Sequence, residues 1–405
     1  MPEIKKSKFI KLTNFNKVIG LDELKENLFI KDGNIISQDE QSYLNNFVEW
    51  LNIDAKDCII SPGFIDPQVN GLDSCNFWSE SLPDFNEIDK LRLKLAYSGV
   101  VAFCPTLITA PVNSISKSVD HLNLYIEKNK NNIGAKILGI HIEGIFITKY
   151  GVHNPDYVIK DLTVKNLQPF IKPNVCLFTI APELDKTGEA IRLLQENKIL
   201  VSIGHSNASY REGEAYIKKY NLHSVTHMFN SLKGIDGFSH RGENLNIELL
   251  QSKLENDKNI DPDQDGIMLA VLKNKDVLCM VISDGIHVNK KAINLLKDFK
   301  DKNHFALVSD LVSKDFYELA ASQGTLGGGQ HSLDKCISNL IKWEVSDVED
   351  CLTFASRPIA NQLKEAQELG LGHISFKKEA NIVLWDTTKS AVKGTIIGEN
   401  VFLNY

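Results

Sequence analysis

Nowhere in the 405 residues does an apolar stretch approach the roughly 18 consecutive residues of a membrane-spanning helix. The N-terminal MPEIKKSKFIKL likewise holds no apolar centre of the kind a secretory leader carries. The chain reads as cytoplasmic, with no membrane among its partners. Cationic side chains are outnumbered, 45 Lys and Arg against 52 Asp and Glu, for a formal charge of -7. Lys and Asn are scattered rather than clustered, so neither a nucleic-acid stripe nor an anionic-lipid patch is present, and any anionic ligand must be held by local groups. The seven cysteines (Cys58, Cys75, Cys104, Cys176, Cys279, Cys336 and Cys351) are far apart, odd in number and mostly inside apolar runs. That pattern suits buried thiols and excludes a disulfide scaffold or a cysteine metal cluster. No solenoid period and no low-complexity tract occurs.

What the chain does hold is a recurring unit. Short apolar runs rich in β-formers lie at CIISPGFID (58–66), VVAFCPT (100–106), AKILGIHIEG (135–144), VCLFTIAPE (175–183), ILVSIGH (199–205), HSVTHMFN (223–230), VLCMVISDGIHV (277–288) and HFALVSD (304–310). Most are separated by stretches of helical periodicity, such as IDKLRLKLAYSG, GEAIRLLQENK, REGEAYIKKYN and KAINLLKDFK. Strands apolar on both faces and alternating with helices imply parallel pairing through right-handed crossovers. Eight such units predict an α/β fold, a closed (β/α)8 barrel of the TIM type.

The ends differ. KFIKLTNFNKVI, NLFIKDGNIIS, ANIVLWD and GTIIGENVFLNY read as strands with turn chemistry, Asp32-Gly33 being a hairpin signal. Residues 1–60 and 375–405 are expected to combine into one small β-sandwich domain, leaving 61–374 for the barrel. Within the latter, RGENLNIELLQSKLENDKNIDPDQD (241–265) is strongly polar and predicts a surface excursion.

In a parallel barrel the C-terminal ends of the strands converge on one rim, where catalytic groups gather. The polar residues ending the apolar runs are Gln68, Thr106, Glu143, His205, His227, Asp284, His287 and Asp310. Taken singly, a histidine at a strand end is more often a hydrogen-bonded core or surface residue than a ligand. Two imidazoles and a carboxylate from strands three, five and six, all at the same end, instead match a catalytic zinc site with three protein ligands and one open position. Glu143, His205 and His227 are the expected ligands. His141, two residues before Glu143 and on the same side of the strand, ranks below it as a supporting residue because it lies deeper in the run. His121, His223, His240, His304, His331 and His373 are assigned structural roles.

At these residues the sequence resembles a known family. PGFIDPQVNG, GIHIEGIF, GHSNASY, THMFNSL, SDGIHV and LVSD stand in the order and approximate spacing of the N-acetylglucosamine-6-phosphate deacetylases of the amidohydrolase superfamily, over nearly the whole chain. In most of that superfamily the first strand ends in His-x-His and binds another metal. Here Gln68-Val69-Asn70 stands in its place, as in the single-metal members, so the resemblance implies one divalent ion, zinc first, with Fe, Co or Mn compatible with the same ligands.

The resemblance further implies hydrolysis of the acetamide of N-acetylglucosamine 6-phosphate to glucosamine 6-phosphate and acetate. Asp310 matches the family's catalytic aspartate, which takes a proton from water and passes it to the departing amine. His153 matches the histidine that orients the acetamide. Asn230 and Ser231 match positions whose backbone meets the sugar phosphate, His287 a further contact to it, and Leu326 and Gly327 residues lining the sugar pocket. Arg241 is the counterpart of a phosphate-binding arginine that can come from a neighbouring subunit, so a homodimer is implied. Three departures bear on substrate fit: Gly144-Ile145 replaces Gly-Pro after the metal ligand, Arg241 is followed by Gly242-Glu243-Asn244, and Leu311 follows Asp310. A barrel that binds a sugar phosphate without turnover, or one that hydrolyses another N-acyl substrate, are the alternatives.

Overall fold

The protein is described by a computed structural model covering residues 3–24, 26–44, 48–78, 81–129, 132–235 and 245–404. Among these residues, eight parallel strands form the barrel: β1 (Phe64–Val69), β2 (Val100–Leu107), β3 (Ile140–Glu143), β4 (Val175–Ile180), β5 (Leu200–Ile203), β6 (Ser224–Val225), β7 (Leu278–Val281) and β8 (Phe305–Leu307). Each pairs in parallel with the next, from β1 through β8. Between β8 and β1 the ladder shrinks to one bridge, Val69 with Leu311, where Asn70 N–H donates to the Leu311 carbonyl at 2.8 Å. The barrel is thus nearly closed, its last seam stitched at the functional rim.

The strands form where the sequence is apolar on both faces. Every residue of β2 is buried, as are all those of β1, β3 and β4, because side chains face the barrel interior on one side and the helical layer on the other. The helices start on local hydrogen-bonding chemistry. Asp84 and Ser209 each accept from the backbone N–H three residues on, and Glu87 and Glu212 return the bond, giving two capping boxes.

The first predicted strand is corrected in one respect: the run 58–66 is two strands. Cys58–Pro62 pairs antiparallel with Asn381–Asp386, outside the barrel, and β1 begins only at Phe64. The crossing point is Gly63, where a Cβ would stand 2.2 Å from a Val101 methyl, so only glycine lets the chain pass.

Residues of both termini share two sheets. A six-stranded sheet joins Glu3–Lys6, Asn400–Leu403, Ala391–Ile397, Asn381–Asp386, Cys58–Pro62 and Lys17–Val18, and a four-stranded sheet joins Asn34–Ile36, Asn27–Lys31, Phe9–Thr13 and Leu51–Asp54. The hairpin at Asp32-Gly33 forms as expected, both residues having positive φ (47° and 77°). Ile10, Leu12, Ile30, Ile60, Ile382 and Ile396 are buried in one apolar cluster drawn from both sheets.

The polar stretch 241–265 is, over its described residues 245–265, largely exposed, with a few residues turned into the core. It carries the helix Ile247–Glu255 and is followed by the buried helix Ile267–Lys273. Leu250 and Leu254 are buried, and Lys253 pairs with Asp265 at 2.9 Å, both side chains at most 5% exposed. This one pair satisfies its charges within the fold, while Asp257, Asp261 and Asp263 face solvent. Among the described residues, no helix is long and apolar enough to cross a membrane.

Candidate metal centre and active site

At the C-terminal rim, the donor atoms expected from the sequence converge. Nε2 of His227 lies 2.9 Å from Oε1 of Glu143 and 3.0 Å from Nε2 of His205, which in turn lies 3.4 Å from the same Glu143 oxygen. Tetrahedral zinc with bonds of about 2.1 Å separates its ligand atoms by about 3.4 Å, so a cation fits against this triangle with one side open. His205 donates its Nδ1–H to the Lys149 carbonyl at 2.8 Å, which leaves the Nε2 lone pair facing the other donors. Two imidazoles and a carboxylate this close oppose their lone pairs unless a proton or a cation lies between them, and a divalent cation can serve all three donors at once. His153 also has a donor within 4.8 Å of those of Glu143 and His205, but the distances favour His227 as the third member.

The backbone turns these side chains inward. His205, His227 and Asp310 all have left-handed φ (50°, 32° and 49°), as do Phe229 and Ser231 (77° and 51°). Conformations of this kind are costly for residues other than glycine and gather at functional sites. After Glu143 the chain turns at Gly144 (φ 91°), where a Cβ would lie 2.2 Å from the His153 ring. The Ile145 that follows is fully buried, and its carbonyl accepts from Ile159 N–H at 2.8 Å, so packing and a hydrogen bond hold the turn where the family uses proline.

A polar shell supports the donors. Gln68 Nε2 donates to the second oxygen of Glu143 at 2.9 Å, and Asn70 Nδ2 donates to Asp310 Oδ1 at 2.7 Å. Thr109 donates its hydroxyl to the Gly144 carbonyl, so its oxygen accepts Nδ1–H from His153 at 2.8 Å. His141 is occupied below the site, its Nε2 2.8 Å from Thr179 Oγ1 and its Nδ1 3.1 Å from the Pro67 carbonyl, in line with its lower rank. The small polar residues after His205 are structural. Ser206 Oγ and Asn207 N–H both donate to Glu183, and Ser209 caps the next helix.

Burial sets the protonation states. It raises Asp310 to about 7, with Glu143 adding to the rise. The same desolvation acts on Glu143, yet hydrogen bonds from His205 and His227 hold it well below the ordinary carboxylate range. Desolvation lowers His205, and pushes His153 well below the usual imidazole value and His141 to about 4. Desolvation acts to lower His227 too, but the hydrogen bond and charge of Glu143 outweigh it and raise that imidazole above its ordinary value. The site therefore combines an ionised carboxylate and the neutral His205, which are metal-binding forms, a His227 proton that Glu143 favours and a cation would displace, and a second carboxyl able to exchange a proton near neutrality.

Above the donors opens a cavity of about 480 Å³, lined among others by Glu143, His205, His227, Asp310, His153, Asn230, Ser231, His287, Leu326 and Gly327. Its size suits a small-molecule ligand. His287 is fixed by Nδ1–H donation to Asp284 Oδ2 at 2.7 Å. Of the residues singled out from sequence, these ten come together at the cavity and Gln68 stands beneath them. Arg241 lies outside the described residues. Sequence reasoning did not select Asn70, Thr109 or Lys149 as site residues. Asn70 carried a signal, since it lies two residues after Gln68 and shares its face of the strand; Thr109 and Lys149 sit in loops with none.

No family model matches the chain. It is 28% identical to the N-acetylglucosamine-6-phosphate deacetylase of Mus musculus over 422 aligned residues, covering 97% of this chain and 95% of the relative. The chain is a homologue of these deacetylases. Among solved structures, the N-acetylglucosamine-6-phosphate deacetylase of Pasteurella multocida superposes with a TM-score of 0.78 at 21% identity, covering 98% of this chain and all of that one. A mutant of the Mycobacterium smegmatis deacetylase in complex with N-acetyl-D-glucosamine-6-phosphate gives 0.74 at 18% identity, over 97% and 99% of the two chains. The similarity in fold to both structures runs over nearly the whole chain.

Proposed function

We propose that the protein hydrolyses the acetamide of N-acetylglucosamine 6-phosphate, giving glucosamine 6-phosphate and acetate. The observation that carries this reading is the triangle of Glu143, His205 and His227 donors beside Asp310, at the floor of a cavity lined by the residues matched to sugar contacts. The deacetylase homologues, similar over nearly the full chain, support the same substrate class.

In this reading Glu143, His205 and His227 hold one divalent cation. Zinc suits the mixed nitrogen and oxygen donors best, while Fe, Co and Mn accept the same set. When bound, the cation supplies Lewis acidity, which lowers the pKa of water and polarises a carbonyl. Asp310 is the proton carrier: ionised beside the cation, it accepts a proton as water oxygen bonds to the acetyl carbon, and returns it to the nitrogen as the C–N bond breaks. Asn70 orients that carboxylate, and Gln68 keeps Glu143 aligned with the donors. His153, anchored through Thr109, positions the acetamide; Asn230, Ser231, His287, Leu326 and Gly327 contact the sugar and its phosphate.

The finer organisation follows the same reading. We take residues 1–60 and 375–405 as one small β-sandwich domain on the 61–374 barrel, supported by the apolar cluster that draws on both sheets. A cytoplasmic homodimer, with Arg241 facing a neighbouring subunit's phosphate site, accords with the family resemblance. The test is acetate release from N-acetylhexosamines with and without a 6-phosphate, using metal-loaded protein. Release from N-acetylglucosamine 6-phosphate is expected. No release from any member of the panel would leave a binding barrel and end the hydrolase reading.

A further inference from the structure

The lower end of the barrel, opposite the active site, has a cavity of its own. It holds about 280 Å³ and is lined by Cys176, Leu200, His223 and Leu363, with Lys198 and Lys364 also on its walls. Behind Cys176 lies a second buried thiol, that of Cys104, the two Sγ atoms standing 3.7 Å apart. Cys104 is on β2 and Cys176 on β4, strands that β3 separates. Gly139 is what lets them meet. The pairs Phe103 with Ile137 and Thr106 with His141 set it beside Cys104, the register of β4 slips at Cys176, and a Cβ on Gly139 would stand 2.6 Å from the Cys176 Sγ. Seventy-two residues separate the two cysteines in sequence, so their spacing gives no sign of the pair.

We infer that Cys104 and Cys176 form a binding site for one thiophilic metal cation, separate from the centre at Glu143 and reached through the lower cavity. Two sulfurs on a tetrahedral cation with bonds of about 2.3 Å lie about 3.8 Å apart, so the thiols already stand at the spacing that bridging requires. A disulfide suits the pair less well. Adjacent strands lie about 4.8 Å apart, so positions two strands apart are separated by about 9–10 Å, beyond the roughly 7 Å that a disulfide spans between Cα atoms. Binding replaces two S–H bonds with two S–metal bonds and releases two protons to water. The hydrogen bond with Cys104, and then burial, hold the Cys176 thiol well above its ordinary value, which leaves it unreactive as a free nucleophile. A dication reverses that cost, since two thiolates and one such ion carry no net charge together. The Ile140 carbonyl, 3.8 Å from Cys176 Sγ, and water from the cavity can fill the remaining positions. Thiolates select soft ions, while Lys198 and Lys364 repel hard cations that gain little from sulfur.

The test uses the full-length protein, loaded with one equivalent of zinc and then titrated with Cd²⁺. Thiolate bound to cadmium gives an ultraviolet charge-transfer absorption that imidazole and carboxylate ligands do not, so the signal reports sulfur ligation alone. One cadmium per chain with that absorption is expected; Cys104→Ser and Cys176→Ser should each lose it, while Cys351→Ser keeps it. No absorption in the wild type, or absorption that survives both of the first two substitutions, would overturn the inference. Should those variants fail to fold, anomalous scattering from wild-type crystals soaked in cadmium decides the matter. A peak between the two Sγ atoms upholds the site, and a peak only elsewhere, or none, removes it. Acetate release enters neither readout, so the result leaves the deacetylase reading untouched.

Discussion

The floor of the cavity and its sugar-facing wall are built in different ways. Glu143, His205, His227 and Asp310 stand at or just beyond the ends of β3, β5, β6 and β8, strands tied to their neighbours by parallel pairing. The wall comes from loops: the 149–153 segment against His205, the turn at Asn230 and Ser231, and the stretch at Leu326 and Gly327, where Gly329 N–H donates to the Asp310 carbonyl at 2.7 Å. A strand end inherits its position from the whole barrel, so a chemical group placed there tolerates extensive change elsewhere in sequence. A loop holds its position through a few hydrogen bonds of its own, and its substitutions alter which ligand fits. Of the departures from the family pattern, Ile145 and Leu311 fall beside the floor residues, those directly after Arg241 lie outside the described residues, and none replaces a floor residue.

If that division is right, the largest effect belongs to the floor. Asp310→Asn keeps an oxygen for the Asn70 hydrogen bond but cannot accept a proton, so kcat for acetate release should fall by about 10²- to 10⁴-fold with metal content and substrate affinity retained. Steady-state kinetics beside metal analysis gives the answer, and an unchanged kcat would move the proton carrier elsewhere. A smaller effect is expected one layer down. Gln68→Ala removes the donor on Glu143 Oε2 and should weaken metal affinity by roughly 10- to 100-fold, as losses of such supporting partners do, while KM at saturating metal stays near wild type. Competition against a chromophoric chelator measures this, and full-strength metal binding in the variant would make Gln68 a bystander.

The same contrast explains what could be read from the sequence. Apolar runs mark all eight barrel strands, and the polar residue that ends a run marks each of the donors that converge on the floor, because burial on both strand faces leaves a signal in composition. The run 58–66 shows the limit of that signal: it is continuous in apolarity yet serves two sheets, and the close passage of Gly63 by Val101 is a tertiary fact. Lys253 and Asp265 looked like solvated charges because pairing between residues 12 apart cannot be seen in polarity alone. Thr109 and Lys149 act through single loop contacts, on Gly144 and His153 in one case and on His205 and Leu232 in the other, and no periodicity reports such contacts. The wall was therefore reached through resemblance and the floor through the residues themselves.

A last and smaller effect separates the cost of building the floor from the rate it gives. Asp310 titrates at about 7 in the folded chain, against an ordinary value of 3.8, because burial and Glu143 disfavour its charge. A carboxyl whose folded value is raised favours folding fully below its unfolded value, and that contribution is lost as pH rises through the folded one. In metal-free protein, wild type should accordingly lose stability relative to Asp310→Asn between about pH 4 and about pH 7, leaving the variant a few degrees more heat-stable at the upper end. Taking the difference between the two proteins cancels the opposite pH trend of the buried His153 and His205, whose lowered values favour folding only while they stay neutral. Adding the divalent ion should shrink the difference, since the cation offsets the charge that the fold alone opposes. Thermal scans of both proteins across that range, with and without chelator, measure it. A difference independent of pH would mean that Asp310 is already ionised without metal, and the floor would then carry no electrostatic strain to set against its catalytic gain.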